Sequence, residues 1–324
     1  MSKLWKIILS AFVFLLIVFL FFYFSALAPQ KSSDAILSYE VKSGTSSRNL
    51  ASDLKTRGLI RSKWAFLIYL KVNGGIIKSG FYELSPSYNL GKTVFNLTSE
   101  LKEWNVTFPE GYAIRDMADL LEKRNIVKKE DFLASASDIV KYKAEFPFLS
   151  EVKSQILEGY LFPDTYRLNL EISADQIIKI MLENFQKKVY KELSNKKLDE
   201  TIALASIVER EAKDDEERPM IAAVYLNRLS KKMELEADPT VQYAKGSWEP
   251  ITKDDYTSVD SPYNTYKYFG LPPSPISNPG LASIKAVLAP AETEALYFFH
   301  TQDGQTIFSQ TAEEHVQKQK EYLK

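Results

Sequence analysis

The sequence predicts an α+β fold that follows an apolar N-terminal helix. Three observations support this prediction. Residues Ile7–Ala28 carry no charge, a strand–helix–helix pattern occurs twice in the first half, and the second half combines apolar helices with a closing hairpin. We therefore expect three parts: a short tip with an apolar helix over residues 1–29, a repeat region over 30–140, and a larger domain over 141–324.

Composition excludes several kinds of chemistry. The chain has 324 residues and a formal net charge of −1, so it lacks the basic field of a nucleic-acid-binding protein. Cysteine is absent, which excludes disulfides and thiolate chemistry. The histidines, His300 and His315, are too few for a usual zinc site, and no Gly-rich phosphate loop occurs. We expect no metal or organic cofactor, and any catalysis would use carboxylates, hydroxyls, amides or lysine.

The N-terminal apolar segment predicts a membrane anchor. At about 1.5 Å per residue, a helix over Ile7–Ala28 is long enough for a bilayer core of about 30 Å. Lys3 and Lys6 precede it, so the positive-inside rule places the N-terminus in the cytoplasm and the remainder beyond the cell (inner) membrane. The alternative is a signal peptide cleaved after Ala28. We favour an uncleaved, single-pass anchor because the apolar stretch exceeds the usual signal length of about 7–15 residues, and Pro29 would follow the cut.

An internal repeat organises the next region. Val41–Leu70 aligns with Phe108–Ser137, which lies 67 positions later, and the alignment places Gly44 on Gly111. Each copy predicts a short strand, a glycine turn, an amphipathic helix and a second short helix.

Three further segments complete this region: a polar linker at Lys31–Asp34, a strand at Gly80–Leu84 and a helix at Leu90–Glu100. Small units of this kind resemble the LysM-like modules that bind amino-sugar chains. A packing or spacer domain that binds nothing is an equal alternative, because the repeat contains no dedicated sugar site.

Ile156–Leu168 is a candidate carbohydrate-binding segment. It combines a glycine turn, a proline and three aromatic residues with two carboxylates, Glu158 and Asp164. Aromatic faces stack on sugar rings and carboxylates accept sugar hydroxyls. A Pro-Asp turn between aromatic residues is, however, also typical of a packed corner.

Thr201–Ala212 is the strongest candidate for a catalytic element. Its apolar residues surround the helix as far as Val208, so the helix should be buried. Glu209 is then its first charge, where the core ends and a solvated run, Lys213–Arg218, is expected to begin. Partial desolvation of the Glu209 carboxyl would raise its pKa, as a general acid near neutral pH requires. The alternative is a solvated glutamate that helps to end a structural helix.

Two segments after this helix are expected to differ in structure. Met220–Leu229 predicts a helix whose buried face excludes Asn227 and Arg228. Leu235–Tyr243 has Asp238 directly before a proline, which is typical of a loop.

The chain then enters a segment stiffened by proline. Asp260–Gly280 contains too many prolines and glycines for a helix or a central strand. Ordered loops of this kind often carry binding groups, and Asn264, Thr265 and Tyr266 are its polar candidates.

The C-terminal segment predicts a β-hairpin and a final helix. Ala295–Phe299 and Gln305–Phe308 should pair around the Asp303-Gly304 turn. The closing helix should cover about Thr311–Lys324.

Six motifs follow one another along the chain: EGYLFPDTY, ASIVEREA, AAVYLNRL, LEADPTVQY, SPYNTYKYFGLPPSPISNPG and the closing YFF…F…EEH…YLK. Together they resemble the endolytic murein transglycosylase family over the whole chain. The resemblance implies that 141–324 is the catalytic domain and that Glu209 is the catalytic residue. It also implies cleavage within nascent peptidoglycan strands, between N-acetylmuramic acid and N-acetylglucosamine, and a role in ending strand growth near the synthases (penicillin-binding proteins).

The position of residues in these motifs suggests the substrate-binding candidates. We expect Glu158 and Asp164 in the wall of the groove, and Asp238, Asn264 and Tyr266 near the 2-N-acetyl group and hydroxyls. The full candidate set is Glu158, Tyr160, Phe162, Asp164, Asn227, Asp238, Thr240, Tyr243, Asn264, Thr265 and Tyr266.

A lytic transglycosylase needs only one carboxyl group. Our hypothesis is that neutral Glu209 protonates the bridging oxygen and then, once ionised, removes the proton from the 6-hydroxyl of the muramic acid. Attack by O6 on C1 closes a 1,6-anhydro ring without water. One alternative is a muramidase with Asp238 or Glu211 as second carboxylate, which would leave reducing ends. Another is a non-enzymatic scaffold that binds glycan or recruits synthases.

Overall fold

The computed structural model describes residues 3–30, 35–42, 44–99, 103–169, 172–191, 193 and 197–323. The chain forms two compact units, residues 1–103 and 104–324. The first contains α1 (Lys3–Leu27), β1 (Leu37–Val41), α2 (Ser47–Thr56), α3 (Lys63–Asn73), β2 (Gly80–Leu84), α4 (Leu90–Thr98) and the start of β3 (Glu103–Thr107). The second continues with α5 (Ile114–Lys123), α6 (Lys129–Ala136), β4 (Thr165–Asn169), α7 (Ala174–Phe185), α8 (Leu198–Glu211), α9 (Arg218–Ser230), α10 (Asp238–Lys245), α11 (Asp255–Ser258), α12 (Leu281–Leu288), β5 (Tyr297–His300), β6 (Thr306–Ser309) and α13 (Ala312–Tyr322).

The first unit is built on the first copy of the repeat. Ser46 and Ser62 accept hydrogen bonds from the backbone at the starts of α2 and α3, which explains where both helices begin. β1 pairs antiparallel with β2, with Val41 opposite Gly80. The apolar faces of α2, α3 and α4 form one core with these strands. The predicted strand–helix–helix pattern and the strand at Gly80–Leu84 are confirmed; the predicted linker Lys31–Asp34 lies outside the described residues.

The N-terminal helix α1 ends at Leu27, which together with Ala26 packs against the core of the first unit. Among the described residues, no helix is both long and apolar enough to cross a membrane. The predicted span Ile7–Ala28 lies partly outside this set, because the side chains at positions 7, 8, 10 and 19–22 are not described.

The second copy of the repeat has the same order of elements. β3, α5 and α6 follow the positions of β1, α2 and α3, and Gly44 and Gly111 share a left-handed backbone with φ of 78° and 76°. β3 forms a two-stranded sheet with β4. This copy belongs to the second unit, so the two copies are parts of different compact units. The functional domain limits at 29/30 and 140/141 stay a prediction.

Helix α8 is the centre of the second unit. Every side chain from Thr201 to Val208 is buried, as the uncharged sequence predicted. α8 packs against α9, α10 and α12. Ser206 connects α8 to the proline-rich loop, which is the segment of residues 260–280. The Ser206 Oγ accepts the Ile276 N–H at 3.0 Å, and the Ser206 carbonyl accepts the Ser277 hydroxyl at 3.2 Å.

Two expectations about the segments after α8 were wrong. Leu235–Tyr243 is not a loop throughout, since α10 begins at Asp238; the proline that suggested a loop occupies the first turn, where its missing N–H costs nothing. Arg228 is buried rather than off the buried face of α9. Its guanidinium binds the carbonyls of Leu296 and Leu235, at 2.6 and 3.0 Å.

Residues 260–323 have the predicted form. Residues 260–280 contain no described helix or strand. β5 and β6 form an antiparallel hairpin in which Phe298 lies opposite Phe308, and α13 closes the chain.

Candidate active site

Glu209 lies in the last turn of α8, and its side chain is only 5 % exposed. Both carboxylate oxygens have fixed partners. Oε1 accepts a hydrogen bond from Arg218 Nη1 at 3.1 Å, and Oε2 accepts one from the Gly280 N–H at 2.8 Å. The carboxyl group is therefore held in place by an ion pair at one oxygen and by a backbone N–H donor at the other.

Arg218, the first residue of α9, holds Glu209 in place. Its Nη1 also donates to Ser283 Oγ at 2.5 Å, and its Nε donates to Asp215 at 2.9 Å. Burial lowers the pKa of Arg218, but the Glu209 and Asp215 carboxylates outweigh burial and raise it. The expectation that Lys213–Arg218 is wholly solvated was wrong for Arg218, which is buried because it spans the gap between α8 and α12.

The N-terminus of α12 forms the other side of the site. Gly280 directly precedes α12, so its N–H belongs to the unpaired donors that attract negative charge. The carboxyl of Glu110 lies against the same glycine: a methyl group on Gly280 would be 1.9 Å from Glu110 Oε1. A side chain at position 280 would displace the Glu110 carboxyl from its place against this backbone.

Glu110 comes from the turn between β3 and α5 and was not among the predicted site residues. Burial and the negative charge of Glu209 raise the pKa of its carboxyl, although Arg218 opposes the shift. The sequence offered one indirect signal: Glu110 precedes Gly111, which falls on the repeat's glycine turn.

Glu158 is fully enclosed, with 2 % of its surface exposed. Its carboxyl accepts hydrogen bonds from the Ile114 N–H at 3.0 Å, Asn278 Nδ2 at 3.0 Å and the Tyr243 hydroxyl at 3.1 Å. Burial is the largest influence and raises the pKa of Glu158 to about 8. The Tyr243 hydroxyl and the Glu158 carboxyl thus bind each other, and Glu158 does not line an open groove as the sequence predicted.

Asn278 joins the candidate segment 156–168 to the proline-rich loop. Its Oδ1 accepts the N–H groups of Gly159 and Leu161 at 3.0 and 2.9 Å, and its Nδ2 donates to Glu158. Asn278 is itself fully buried. This arrangement explains why the Ile156–Leu168 turn and the loop occur together: each satisfies the polar groups of the other.

A second polar cluster brings together two segments that are apart in sequence; its members are Asp238, Thr240, Thr265 and Tyr266. Tyr266 OH donates to Asp238 at 2.5 Å, and the Thr240 and Thr265 hydroxyls are 2.9 Å apart. The threonines are buried. Buried Asn264 fixes the loop through its Nδ2, which donates to the carbonyls at 256 and 259 at 3.1 and 2.8 Å.

Glu211 lies near this second cluster rather than near Glu209. Positions two apart on a helix do not face the same side. The Tyr225 hydroxyl donates to Glu211 at 3.1 Å, and burial, with the charge of Asp238, raises the pKa of Glu211 to about 7. Asp238 and Glu211 thus interact with each other.

The remaining candidates make contacts within the protein. Tyr160 donates to Asp199 at 2.7 Å, and Phe162 is buried beneath the Lys188 ammonium, 5.1 Å from its ring centroid. The amide of Asn227 binds the carbonyls at 293 and 295, at 2.9 and 3.1 Å. Asp164 accepts from Asn184 and Lys188 at 2.8 and 2.6 Å. Their substrate-binding roles stay predictions.

An aromatic and cationic stack lies beside Glu209. The guanidinium of Arg210, the next residue, is 3.9 Å from the ring centroid of Trp248, and that of Arg115 is 4.5 Å from it. Trp248 Nε1 donates to Asp116 at 2.8 Å. Trp248 lies in the segment 247–259, for which the sequence supported no prediction, and no local pattern connects it to α8.

Comparisons with known proteins identify a consistent group of relatives. The YceG-like family model matches residues 39–321. A Bacillus subtilis (strain 168) protein named endolytic murein transglycosylase is 36 % identical over 313 residues, which cover 91 % of this chain and 87 % of that protein. A Streptococcus pneumoniae protein with the same name is 29 % identical and is covered to 60 % of its length. A crystal structure of a yceG-like protein from Listeria monocytogenes matches with a TM-score of 0.61 and 35 % identity, over 88 % of this chain and 100 % of that one.

Proposed function

The chain belongs to the YceG-like family, and we propose that it is a peptidoglycan lytic transglycosylase whose catalytic carboxyl group is that of Glu209. Relatives named endolytic murein transglycosylase support the reaction class. The observation that supports the residue is geometric. Glu209 is a nearly buried carboxylate, held at both oxygens by Arg218 and by the N-terminus of α12.

The proposed reaction includes two proton transfers: the leaving oxygen gains a proton and the attacking O6 loses one. The bond between C1 of N-acetylmuramic acid and the bridging oxygen breaks, and that oxygen takes a proton as it leaves. O6 of the same muramic acid attacks C1, loses its proton and closes the 1,6-anhydro ring. In this proposal Glu209 stabilises the positive charge that develops at C1 and takes part in the proton transfers.

Endolytic cleavage and anchoring complete the proposal. The enzyme would cut inside nascent strands and so end their elongation, close to peptidoglycan synthases. The uncharged segment Ile7–Ala28 would anchor it in the cell membrane with the N-terminus in the cytoplasm. The strand–helix–helix units would serve as LysM-like modules that hold glycan. These parts rest on the sequence and the family resemblance.

The first test uses the full chain in detergent on uncrosslinked nascent glycan strands, with the new ends identified by mass spectrometry. Wild type should produce anhydro-muramic ends. Glu209→Gln is nearly isosteric and should reduce cleavage by at least roughly 10²-fold, whereas Glu216→Gln, the same change at an exposed residue, should not alter it. Reducing ends would instead identify a hydrolase, and binding without cleavage would identify a scaffold.

A further inference from the structure

The aromatic and cationic stack beside Glu209 contains more positive charge than its neighbours balance. It consists of Arg115, Arg210 and Trp248, whose ring centroid lies 4.5 Å from the Arg115 guanidinium carbon and 3.9 Å from that of Arg210. The two guanidinium carbons are thus at most roughly 8–9 Å apart, a distance at which like charges in a protein still repel each other. In the described part of the chain, Asp116 is the carboxylate that contacts the stack: it accepts the Trp248 N–H at 2.8 Å and lies 3.8 Å from Arg115 Nε. One carboxylate therefore faces two cations.

Arg210 is the member of the stack with unused hydrogen-bond donors. Its side chain is half-buried, and among the described residues its guanidinium has neither a hydrogen-bond partner nor an ion-pair partner. Arg115 differs, because its Nη1 donates to the Tyr243 carbonyl at 3.2 Å, although its Nη2 also lacks an acceptor. Buried donors in proteins are nearly always paired, so these two arginines lack an acceptor that a ligand can supply.

The charges around Arg210 agree with this conclusion. Burial is the largest influence and lowers the pKa of its guanidinium; the charge of Asp116 opposes the shift, and the charge of Arg115 adds to it. Arginine nevertheless stays a cation in proteins. A bound anion would offset the repulsion between the two guanidinium groups and would satisfy the free donors of Arg210.

Arg210 is also close enough to Glu209 for both to contact one sugar unit. A methyl group on Gly111 would be 3.7 Å from Arg210 Nη1 and 3.5 Å from Glu209 Cγ. These two atoms are therefore no more than about 7 Å apart, which is about the length of two extended residues. The stack thus belongs to the same site as Glu209.

The proposed substrate has one kind of anionic group near the bond that is cut. Muramic acid carries a 3-O-lactyl branch, which ends in a carboxylate when the strand is free of peptide and otherwise bears the stem peptide with its own carboxylates. The hydroxyl and N-acetyl groups of both sugars are neutral. A planar guanidinium can bind a carboxylate through two parallel hydrogen bonds, and stacking on Trp248 holds the plane of Arg210 in place.

We propose that Arg210, supported by Trp248 and Arg115, binds a carboxylate on the 3-O-lactyl branch of muramic acid and so positions that sugar at Glu209. This inference rests on the proposed function and names the part of the substrate that the site recognises. The carboxylate is that of the lactyl group or of the stem peptide, which share the same chemistry. Arg210 is a binding residue, and it takes no part in proton transfer or bond formation.

The test compares three glycan strands that differ in the lactyl branch. The first carries stem peptides; an amidase has removed them from the second, which ends in lactyl carboxylates; in the third, these carboxylates have been converted to neutral methylamides. The affinity of the full chain in detergent is measured for each strand. Glu209→Gln is present throughout to prevent cleavage, and Arg210→Gln is added to it.

Arg210→Gln should weaken binding of at least one carboxylate-bearing strand by roughly 10–100-fold, as expected for loss of hydrogen bonds to a charged group. Binding of the methylamide strand should stay within about twofold. A loss on the peptide-free strand identifies the lactyl carboxylate, and a loss confined to the first strand identifies the stem peptide. Arg210→Lys keeps the charge without the planar fork and should recover only part of the affinity. Lys320→Gln, which removes a positive charge from an exposed residue of α13, is the control and should change none of the three affinities.

The outcomes separate this inference from the proposed function. If Arg210→Gln leaves all three affinities unchanged, or if Arg210→Gln and Arg210→Lys both weaken all three equally, Arg210 does not recognise a carboxylate and the inference is wrong. If that holds while wild type still forms anhydro ends, the proposed reaction stands without this subsite. A carboxylate preference that depends on Arg210, in a chain that forms no anhydro ends, would support the subsite and contradict the proposed reaction. Failure to bind any strand would overturn both.

Discussion

Carboxyl groups in the second unit differ in pKa according to their burial and to the partners that bind them. Asp164 is bound by Lys188 and Asn184, which outweigh burial and lower its pKa. Glu158 receives three neutral hydrogen-bond donors, but no cation forms an ion pair with it in the described structure, so burial prevails and its pKa rises. The pKa of a carboxyl group thus falls in one place and rises in another, which matters for stability.

Glu158→Gln should reduce the pH dependence of stability. The pKa of Glu158 is about 8 in the folded chain, against 4.5 for the free group, so the folded state binds more protons between these values. The free energy of unfolding should therefore fall as pH rises from about 4.5 to about 8, and the full contribution should be present below 4.5. Urea unfolding at pH 5 and pH 8 should show a smaller drop for Glu158→Gln than for wild type.

Glu130→Gln, an exposed carboxyl in the same unit, is the control and should keep the wild-type drop. An equal drop in wild type and Glu158→Gln would show that Glu158 titrates as an ordinary carboxyl.

At the scale of elements, α8 depends on the fit of two irregular segments. The turn at Gly159 lies between α8 and the proline-rich loop. Gly159 has a positive φ of 90°, which glycine adopts more readily than other residues. A methyl group on Gly159 would lie 2.5 Å from Pro275 and 2.9 Å from Ile202. The position is thus restricted by conformation and by packing together.

Comparison of Gly159→Ala with Gly304→Ala should separate these two restrictions. Gly304 has nearly the same φ, 91°, but nothing lies within 4 Å of its missing side chain. Gly304→Ala should therefore cost only the conformational penalty, about 1–2 kcal/mol, and Gly159→Ala should cost about 1–3 kcal/mol more because of overpacking. Urea unfolding of both variants measures the difference, and equal losses would mean that the contact with Pro275 relaxes freely.

At the scale of the whole molecule, the two compact units have separate cores. The core of the first consists of residues from β1 to α4, with Ala26 and Leu27 packed against it. Every contact of Glu209 described above lies within residues 104–324. The described partners of Glu209 therefore all belong to the second unit.

A fragment of residues 104–324 should consequently fold without the remainder. We expect a single cooperative thermal transition by circular dichroism, and near-ultraviolet signals from its packed aromatic residues. Loss of the near-ultraviolet signal with retention of helix would contradict this expectation, since it would mean that the core of the second unit needs residues 1–103 to pack.

The sequence alone determined the features that depend on local pattern. The uncharged run from Thr201 to Val208 required a buried helix, and it made Glu209 the first charge at the edge of that helix. The repeat gave the strand–helix–helix order of both copies, and Asp303-Gly304 gave the hairpin. Periodicity and turn chemistry act over a few residues, so they can be read without knowledge of the rest of the chain.

Only the tertiary structure decided which groups surround Glu209. Gly280 and Glu110 are distant in sequence, and Arg218 lies in a run that has the composition of a solvated segment. The same holds for Asn264 and Thr265, whose polar side chains are buried in hydrogen bonds within the protein. Contacts between distant segments depend on how helices and loops pack together, and a local pattern of residue types does not specify that packing, because tertiary context overrides local preference.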